Sequence, residues 1–303
     1  MMQQFQITSI EENQNIMTYL RTLMPILSTS FLRKMMRTKI IKLNDQKITG
    51  KETLKSNDMI KIYVSQDMFV EFSRPLELIE ANYYDDSMGH PYHHNLNIIY
   101  EDDCVLLINK PIGLPSRSKK LKHSLIQDIA YYLSSETKDM IGYQLGITNY
   151  LDKNCSGIII SGKDIKSLQG LNYAMSHSNI EINYRTICTG LIEEETSIEN
   201  GLIKPIKTNG AYTEIMVTMH NGIVHNVRAV LAEIGHPIIG DKKFGESSTN
   251  LFFKKHYGLN HYLIHVSSVT FKDMPGDLEY MSNHTYCVDL PLIYKTCQRD
   301  LFR

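Results

Sequence analysis

Apolar residues recur at helical spacing from Ile16 through Leu20 to Leu23, and Pro25 follows, so the pattern predicts a short amphipathic helix beginning near Asn15. Ser28 and Ser30 offer caps for a second helix, FLRKMMRT. Its Phe31, Leu32, Met35 and Met36 can face a core while Arg33, Lys34 and Arg37 face solvent. The period then falls to two: KIIKLNDQKIT and DMIKIYV read as short strands, the first broken at Asn44-Asp45. Residues 72–95, FSRPLELIEANYYDDSMGHPYHHN, lose periodicity and carry Pro, Gly and Asn, as a linker does. The expected organisation is a small α/β domain over residues 1–71, a linker over 72–95 and a larger domain over 96–303.

In the larger part, NIIYEDDCVLLINKP reads as two strands joined at an acidic turn, and Ser124 caps a helix with Leu125, Ile129 and Leu133 on one face. NYLDKNCSGIIISGKD reads as a loop leading into a core strand, followed by a helix over roughly residues 163–178. INYRTICTG is a strand and the acid-rich LIEEETSIEN a solvated loop. AYTEIMVTMHNG alternates like a hairpin arm turned at Asn221-Gly222, and HNVRAVLAEIG has helical spacing with Gly235 as its C-cap. Strand pairs that look like hairpins favour an α+β fold, with a mixed, mostly antiparallel sheet flanked by helices, over a doubly wound parallel one.

With 42% hydrophobic and 21% charged residues the chain has the composition of a globular protein. Its apolar runs are far shorter than the roughly 18 residues of a membrane span, and MMQQFQITSIEENQ lacks the pattern of a secretory signal. A cytoplasmic protein without membrane partners is expected. Five cysteines at wide spacing, with no C-x-x-C, fit reduced thiols better than a disulfide framework or a zinc site. His90, His93 and His94 lack carboxylate or cysteine partners at ligand spacing and read as a polar loop, so no metal is expected. A net charge of −1 makes no global case for a polyanion, but residues 31–62 hold nine basic side chains against three acids. Lys39 joins Arg33, Lys34 and Arg37 in that cluster. No heptad repeat points to a coiled-coil dimer, and a monomer is expected.

Three residues could carry chemistry. Asp152 precedes a core strand through a Ser156-Gly157 turn, a context that holds a carboxylate rigidly at a sheet end. An acid before Lys153-Asn154 is also a common turn former. Tyr184 lies in a strand buried on one face, where it reads as a core aromatic. Arg228 lies on the helix after Asn221-Gly222, in a surface ion pair or as the partner of a carboxylate in the cleft.

Four segments in order, INKPIGLP, LDKNCSGIIISGKD, INYRTICTG and HNVRAVLAEIGHPIIGDKKFG, resemble the RluA-type pseudouridine synthases, which isomerise uridines in ribosomal or transfer RNA. The N-terminal words STSFLRKMMRTKIIKLNDQKI and LKSNDMIKIYV resemble the small RNA-binding domain, first seen in a ribosomal protein, that precedes many such enzymes. The resemblance implies the pseudouridine synthase fold, an RNA partner and no cofactor. It implies that Asp152 is the essential aspartate, Tyr184 the tyrosine stacking on the target base, and Arg228 the cation holding the acid. Where the family usually has His-Arg-Leu-Asp, this chain has Asn149-Tyr150-Leu151-Asp152, which places Asn149 and Tyr150 on the expected RNA side. An aromatic ring at Tyr150 can fill the stack vacated by arginine. The usual Gly-Arg/Lys-Thr-His-Gln-Ile-Arg is Gly222-Ile223-Val224-His225-Asn226-Val227-Arg228, and Cys155 stands for the usual threonine. These changes motivate a second expectation, an RNA-binding paralogue without catalysis that acts in ribosome or RNA assembly.

Overall fold

The computed structural model describes residues 2–7, 11–73, 96–117, 123–136, 146–220 and 224–303. Most of the 72–95 segment, including His90, His93 and His94, lies outside them, as does the Asn221-Gly222 pair.

The N-terminal part is built on strand β1 (Gln3–Gln6), helices α1 (Ile16–Leu23) and α2 (Thr29–Arg37), strands β2 (Ile41–Leu43), β3 (Gln46–Lys47) and β4 (Met59–Ile62), and helix α3 (Gln66–Phe72). Asn15 caps α1, its side chain accepting from the Met17 N–H at 2.9 Å. Of the two candidate caps of α2 the chain uses Ser28, which accepts from the Phe31 N–H at 3.2 Å; Ser30 lies in the first turn against the Ser28 hydroxyl. Each cap satisfies an orphan N–H and fixes where the helix starts. The sheet order is β1-β4-β2-β3, antiparallel throughout, with Asn44 and Asp45 in the left-handed region at the β2–β3 turn. β1 and α3 are not expected from the pattern: QQFQ offers a single apolar residue, because an edge strand buries only one side chain in two. Leu20, Leu32, Met36, Ile41 and Ile60 are fully buried between helices and sheet.

The larger part runs β5 (Ile98–Glu101), β6 (Val105–Lys110), α4 (Leu125–Glu136), β7 (Gly146–Ile147), β8 (Ser156–Gly162), α5 (Ile165–Ser176), β9 (Ile180–Thr189), β10 (Thr196–Ile198), β11 (Gly201–Thr208), β12 (Tyr212–Met219), α6 (Val224–Glu233), α7 (Ser247–Tyr257), β13 (Ile264–Phe271), β14 (Thr285–Cys287) and α8 (Leu292–Leu301). The sheet order is β10-β11-β12-β9-β13-β8-β6-β5, with β14 beside β13 and β7 beside β8. Every pairing is antiparallel except β13 with β8. The protein is thus α+β, with a mixed, mostly antiparallel sheet flanked by helices.

β8 is buried along its whole length because it lies inside the sheet and α5 covers it, which is why its apolar residues run without alternation. β9 shows the alternation of a strand between two packed layers. Tyr184 and Cys188 enter the main core, whereas Ile187 meets Phe253 and Tyr294 of α7 and α8 on the opposite face. Ile165, at the start of α5, joins the N-terminal core, so the two sheets share a packed contact.

AYTEIMVTMHNG is a hairpin arm, β12, which pairs with β11 through Asn209-Gly210 with Gly210 at φ +86°, and HNVRAVLAEIG forms α6; the turn expected at Asn221-Gly222 lies outside the described residues. One expectation is corrected. The acid-rich segment is not all loop: Thr196–Ile198 pairs with residues 201–203 as the outermost strand, where exposed polar residues mimic a loop's composition. No helix among the described residues is long and apolar enough to cross a membrane.

Candidate active site

Asp152 sits on the turn that feeds β8, and three devices hold that turn. Its own Oδ1 accepts the Asn154 N–H at 2.8 Å, a local carboxylate turn. The loop after β6 grips it from outside: the Ser116 hydroxyl donates to the Leu151 carbonyl at 2.5 Å, and the Gly113 N–H donates to the Lys153 carbonyl at 2.6 Å. Gly157 then lets β8 approach β13 closely, because its φ is +111° and a Cβ there would stand 2.2 Å from the Val266 oxygen.

The gripping loop is itself organised by Lys110, which is fully buried and donates from Nζ to the Pro111 carbonyl at 3.0 Å and the Leu114 carbonyl at 2.7 Å. Burial pushes its ammonium down to about 8, partly offset by the nearby Asp152 carboxylate. A desolvated cation held by carbonyls alone thus ties INKPIGLP to the acid-bearing turn.

Arg228, on α6, is buried with its guanidinium aimed at two acids. Nε and Nη2 donate to Asp241 at 2.7 and 2.8 Å, whereas Nη1 reaches Asp152 Oδ2 only at 3.9 Å. Arg228, expected as the cation holding Asp152, therefore makes its bidentate contact with Asp241. That carboxylate is fully buried and requires a charge beside it, whereas the Asp152 side chain is 37% exposed and keeps water. Burial opposes the charge on both members of the Arg228–Asp241 pair. Their hydrogen bonds, with those of the Lys243 and Phe244 N–H groups to Asp241, outweigh it, so Asp241 lies below the ordinary carboxylate range and Arg228 stays charged.

The second oxygen of Asp152 is taken by Tyr262, whose hydroxyl donates to Oδ2 and whose ring lies 3.9 Å below the Arg228 guanidinium. Tyr184, assigned by resemblance to the target base, is fully buried under the turn, and its hydroxyl has no hydrogen-bond partner, so no bond joins it to Asp152 or Arg228. Burial pushes its phenol well up. The ring that touches the acid is that of Tyr262, not Tyr184.

The flanking residues divide. Tyr150 is 52% exposed. Asn149, expected on the RNA side, is fully buried: its amide donates to the Ile158 carbonyl and accepts the Ile160 N–H, each at 2.8 Å. Its polar groups satisfy backbone that would otherwise be orphaned inside the core. Arg33, Lys34, Arg37 and Lys39 are exposed and form no ion pair among the described residues.

Beside the acid lies a cavity of about 390 Å³ lined by Lys153, Asn154, Arg228, Lys242, Lys243 and Tyr262, among others, with no carboxylate in its wall. Larger hollows of about 700 and 740 Å³ lie elsewhere and are lined by neither Asp152 nor Arg228. The smaller cavity sets cations and an aromatic edge beside the part-exposed carboxylate of Asp152. Such a set can attract a phosphodiester, seat a planar base and present one oxygen to a sugar or base carbon. Sequence reasoning missed Asp241 and Tyr262. A lone acid after the apolar run PIIG was a usable signal for the first; for the second only a tyrosine in a strand-like run was available.

The family model for RNA pseudouridylate synthase matches residues 104–233, which carry the acid-bearing turn and α6. The ribosomal large subunit pseudouridine synthase C of Buchnera aphidicola subsp. Baizongia pistaciae is 24% identical, over 88% of this chain and 88% of its own length. An uncharacterized RNA pseudouridine synthase of Mycoplasma capricolum is 23% identical, over 93% of this chain and 96% of its own. The solved structure of human RNA pseudouridylate synthase domain containing 4 shares the fold at a TM-score of 0.53 and 16% identity, covering 68% of this chain and 92% of that one. By these matches residues 104–233 belong to the RNA pseudouridylate synthase family, and the chain is similar over most of its length to RluA-type pseudouridine synthases.

Proposed function

We propose that this isomerase converts uridine to pseudouridine in ribosomal RNA, with Asp152 as the residue that acts on a nucleotide flipped into the 390 Å³ cavity. The single observation that supports this most is the carboxylate itself: part-exposed, held at both oxygens and set beside a cavity lined by cations. The relatives named for the large ribosomal subunit supply the choice of RNA.

The reaction breaks the bond between the ribose C1′ and the uracil N1, turns the base and joins C1′ to C5, while the C5 proton moves to solvent and N1 gains one. Nothing is oxidised and no group is lost, so no co-reactant is consumed. The acid serves as nucleophile or as proton acceptor at the sugar, and the enclosing walls keep the detached base in place. Arg228 fits the role of electrostatic support at 3.9 Å. Tyr184 fits the role of a hydrophobic bed for the base only if its ring becomes accessible when RNA enters.

In the same reading residues 1–71 form an RNA-gripping domain, with Arg33, Lys34, Arg37 and Lys39 on phosphates and Tyr150 stacking beside the target, while residues 96–303 form the catalytic domain. The protein works as a monomer in the cytoplasm, where ribosomal RNA is found. The test compares pseudouridine maps of ribosomal RNA from cells with and without the protein, and assays purified wild type and Asp152→Asn on unmodified ribosomal RNA. Sites that vanish with the gene, and turnover abolished in Asp152→Asn with RNA binding retained, are expected. Unchanged maps, or binding without turnover by the wild type, would favour the assembly paralogue instead.

A further inference from the structure

We propose that Tyr262 is a positioning residue for Asp152, its hydroxyl fixing Oδ2 short of a contact ion pair with Arg228. The proposal rests on the reading of Asp152 as the acting acid. Three observations carry it. The carboxylate has one fixed hydrogen bond, from the Asn154 N–H to Oδ1, and its other oxygen is offered two donors: the Tyr262 hydroxyl, which bonds it, and Arg228 Nη1, which stops at 3.9 Å. Next, Tyr262 is more firmly enclosed than the acid. It is 3% exposed, its neighbour Leu263 is pinned by the Ile239 carbonyl at 3.1 Å, and its ring lies 3.9 Å below a guanidinium that Asp241 fixes in two places. Last, burial and the adjacent carboxylate push the phenol up, so it remains a donor across the working range and never competes as a base.

The consequence is a competition between two donors for one oxygen. Without the hydroxyl, Oδ2 would close the gap to Arg228 and form a contact ion pair, which is stronger at that distance and moves the carboxylate from the position in which it is held. The hydroxyl therefore trades a tighter ion pair for an orientation. Because the ring also packs on Arg228, loss of the hydroxyl alone, not of the ring, is the perturbation that separates positioning from packing.

The experiment measures pseudouridine formation on unmodified ribosomal RNA by wild type, Tyr262→Phe, Asp152→Asn, and proteins carrying 3-fluorotyrosine or 3,5-difluorotyrosine at position 262. A hydrogen bond to a charged group is worth roughly a 10- to 100-fold rate change. Tyr262→Phe is therefore expected to lose kcat about 10- to 100-fold with KM within about twofold, and its melting temperature should stay near that of the wild type. The fluorinated series keeps the ring and strengthens the donor, so kcat should move stepwise in one direction from tyrosine to the difluoro residue. Wild-type kcat in Tyr262→Phe, with Asp152→Asn inactive, overturns the positioning role and leaves the acid in place. A flat fluorotyrosine series overturns it as well, even if the phenylalanine variant does not fold. Activity in Asp152→Asn would instead overturn the reading on which the proposal rests.

Discussion

Replacing Asp241 with asparagine removes one charge from a fully buried pair while keeping shape and one carbonyl oxygen. In the wild type this carboxylate accepts Arg228 Nε at 2.7 Å, Arg228 Nη2 at 2.8 Å and the N–H groups of Lys243 and Phe244 at 2.9 and 3.2 Å. Three of those four bonds go to Oδ1, which asparagine can supply. The fourth becomes an amide N–H facing a guanidinium N–H, and the guanidinium is left with a carboxylate only at 3.9 Å. Breaking a buried pair from one side costs about 3–5 kcal/mol, and the retained oxygen argues for the lower end, about 3 kcal/mol. For a domain of this size that lowers Tm by about 6–12 °C, measurable by circular dichroism melts and confirmed by denaturant titration. The loss should depend on pH. A carboxylate depressed in the fold stabilises above the unfolded value of about 4 and stops doing so as pH falls through its folded value, so variant and wild type should converge on acidification. Activity should fall as well, because an Arg228 released from Asp241 is free to close on Asp152. The double variant Asp241→Asn/Arg228→Met should lose less than the sum of the singles. A variant within about 0.5 kcal/mol of wild type at pH 7 would refute the reasoning, since it would mean that the pair contributes nothing and that Arg228 is held by packing alone.

Two further outcomes are expected. Gly157→Ala places a methyl 2.2 Å from the Val266 oxygen at φ +111°, so β8 must part from β13 beside the acid; a loss of at least about 3 kcal/mol in chemical denaturation is expected, and wild-type stability would show that the close approach is not needed. Lys110, lowered to about 8 by burial, gives up its proton in the fold before the unfolded chain does, near 10.4. Its contribution to stability therefore rises with pH between those values, by about 3 kcal/mol, and denaturant melts at pH 7 and pH 10 should show wild type gaining that much on Lys110→Met, whereas a constant difference would contradict the buried ammonium.

Much of the fold could be read locally because its signals are local. Ser28 capping FLRKMMRT, the Asn44-Asp45 turn and the uninterrupted isoleucines of β8 each need only their near neighbours to specify a helix start, a hairpin or a fully buried strand. Among the strands that the pattern does not yield, β1 and β10 are sheet edges, where one face meets water and composition resembles that of a loop, whereas β13 lies inside the sheet between β9 and β8.

The site divides along the same line. Asp152 could be picked out from its own turn, and the exposed cations of α2 from their spacing. Asn149 could not be placed, because its amide is recruited by backbone nine and eleven residues further on, and the polarity that suggested a ligand serves the core. Nor could the partners of the acid be assigned. Tyr262 arrives from 110 residues away, and Asp241 takes the bidentate face of Arg228 across a loop. The sequence by itself determined the elements, the acid and the basic helix, since side-chain period and caps act within a few residues. Which oxygen of Asp152 meets which donor was decided only by tertiary structure, because burial assigns the nearest cation to the carboxylate that cannot reach water, and burial is a property of the packed chain.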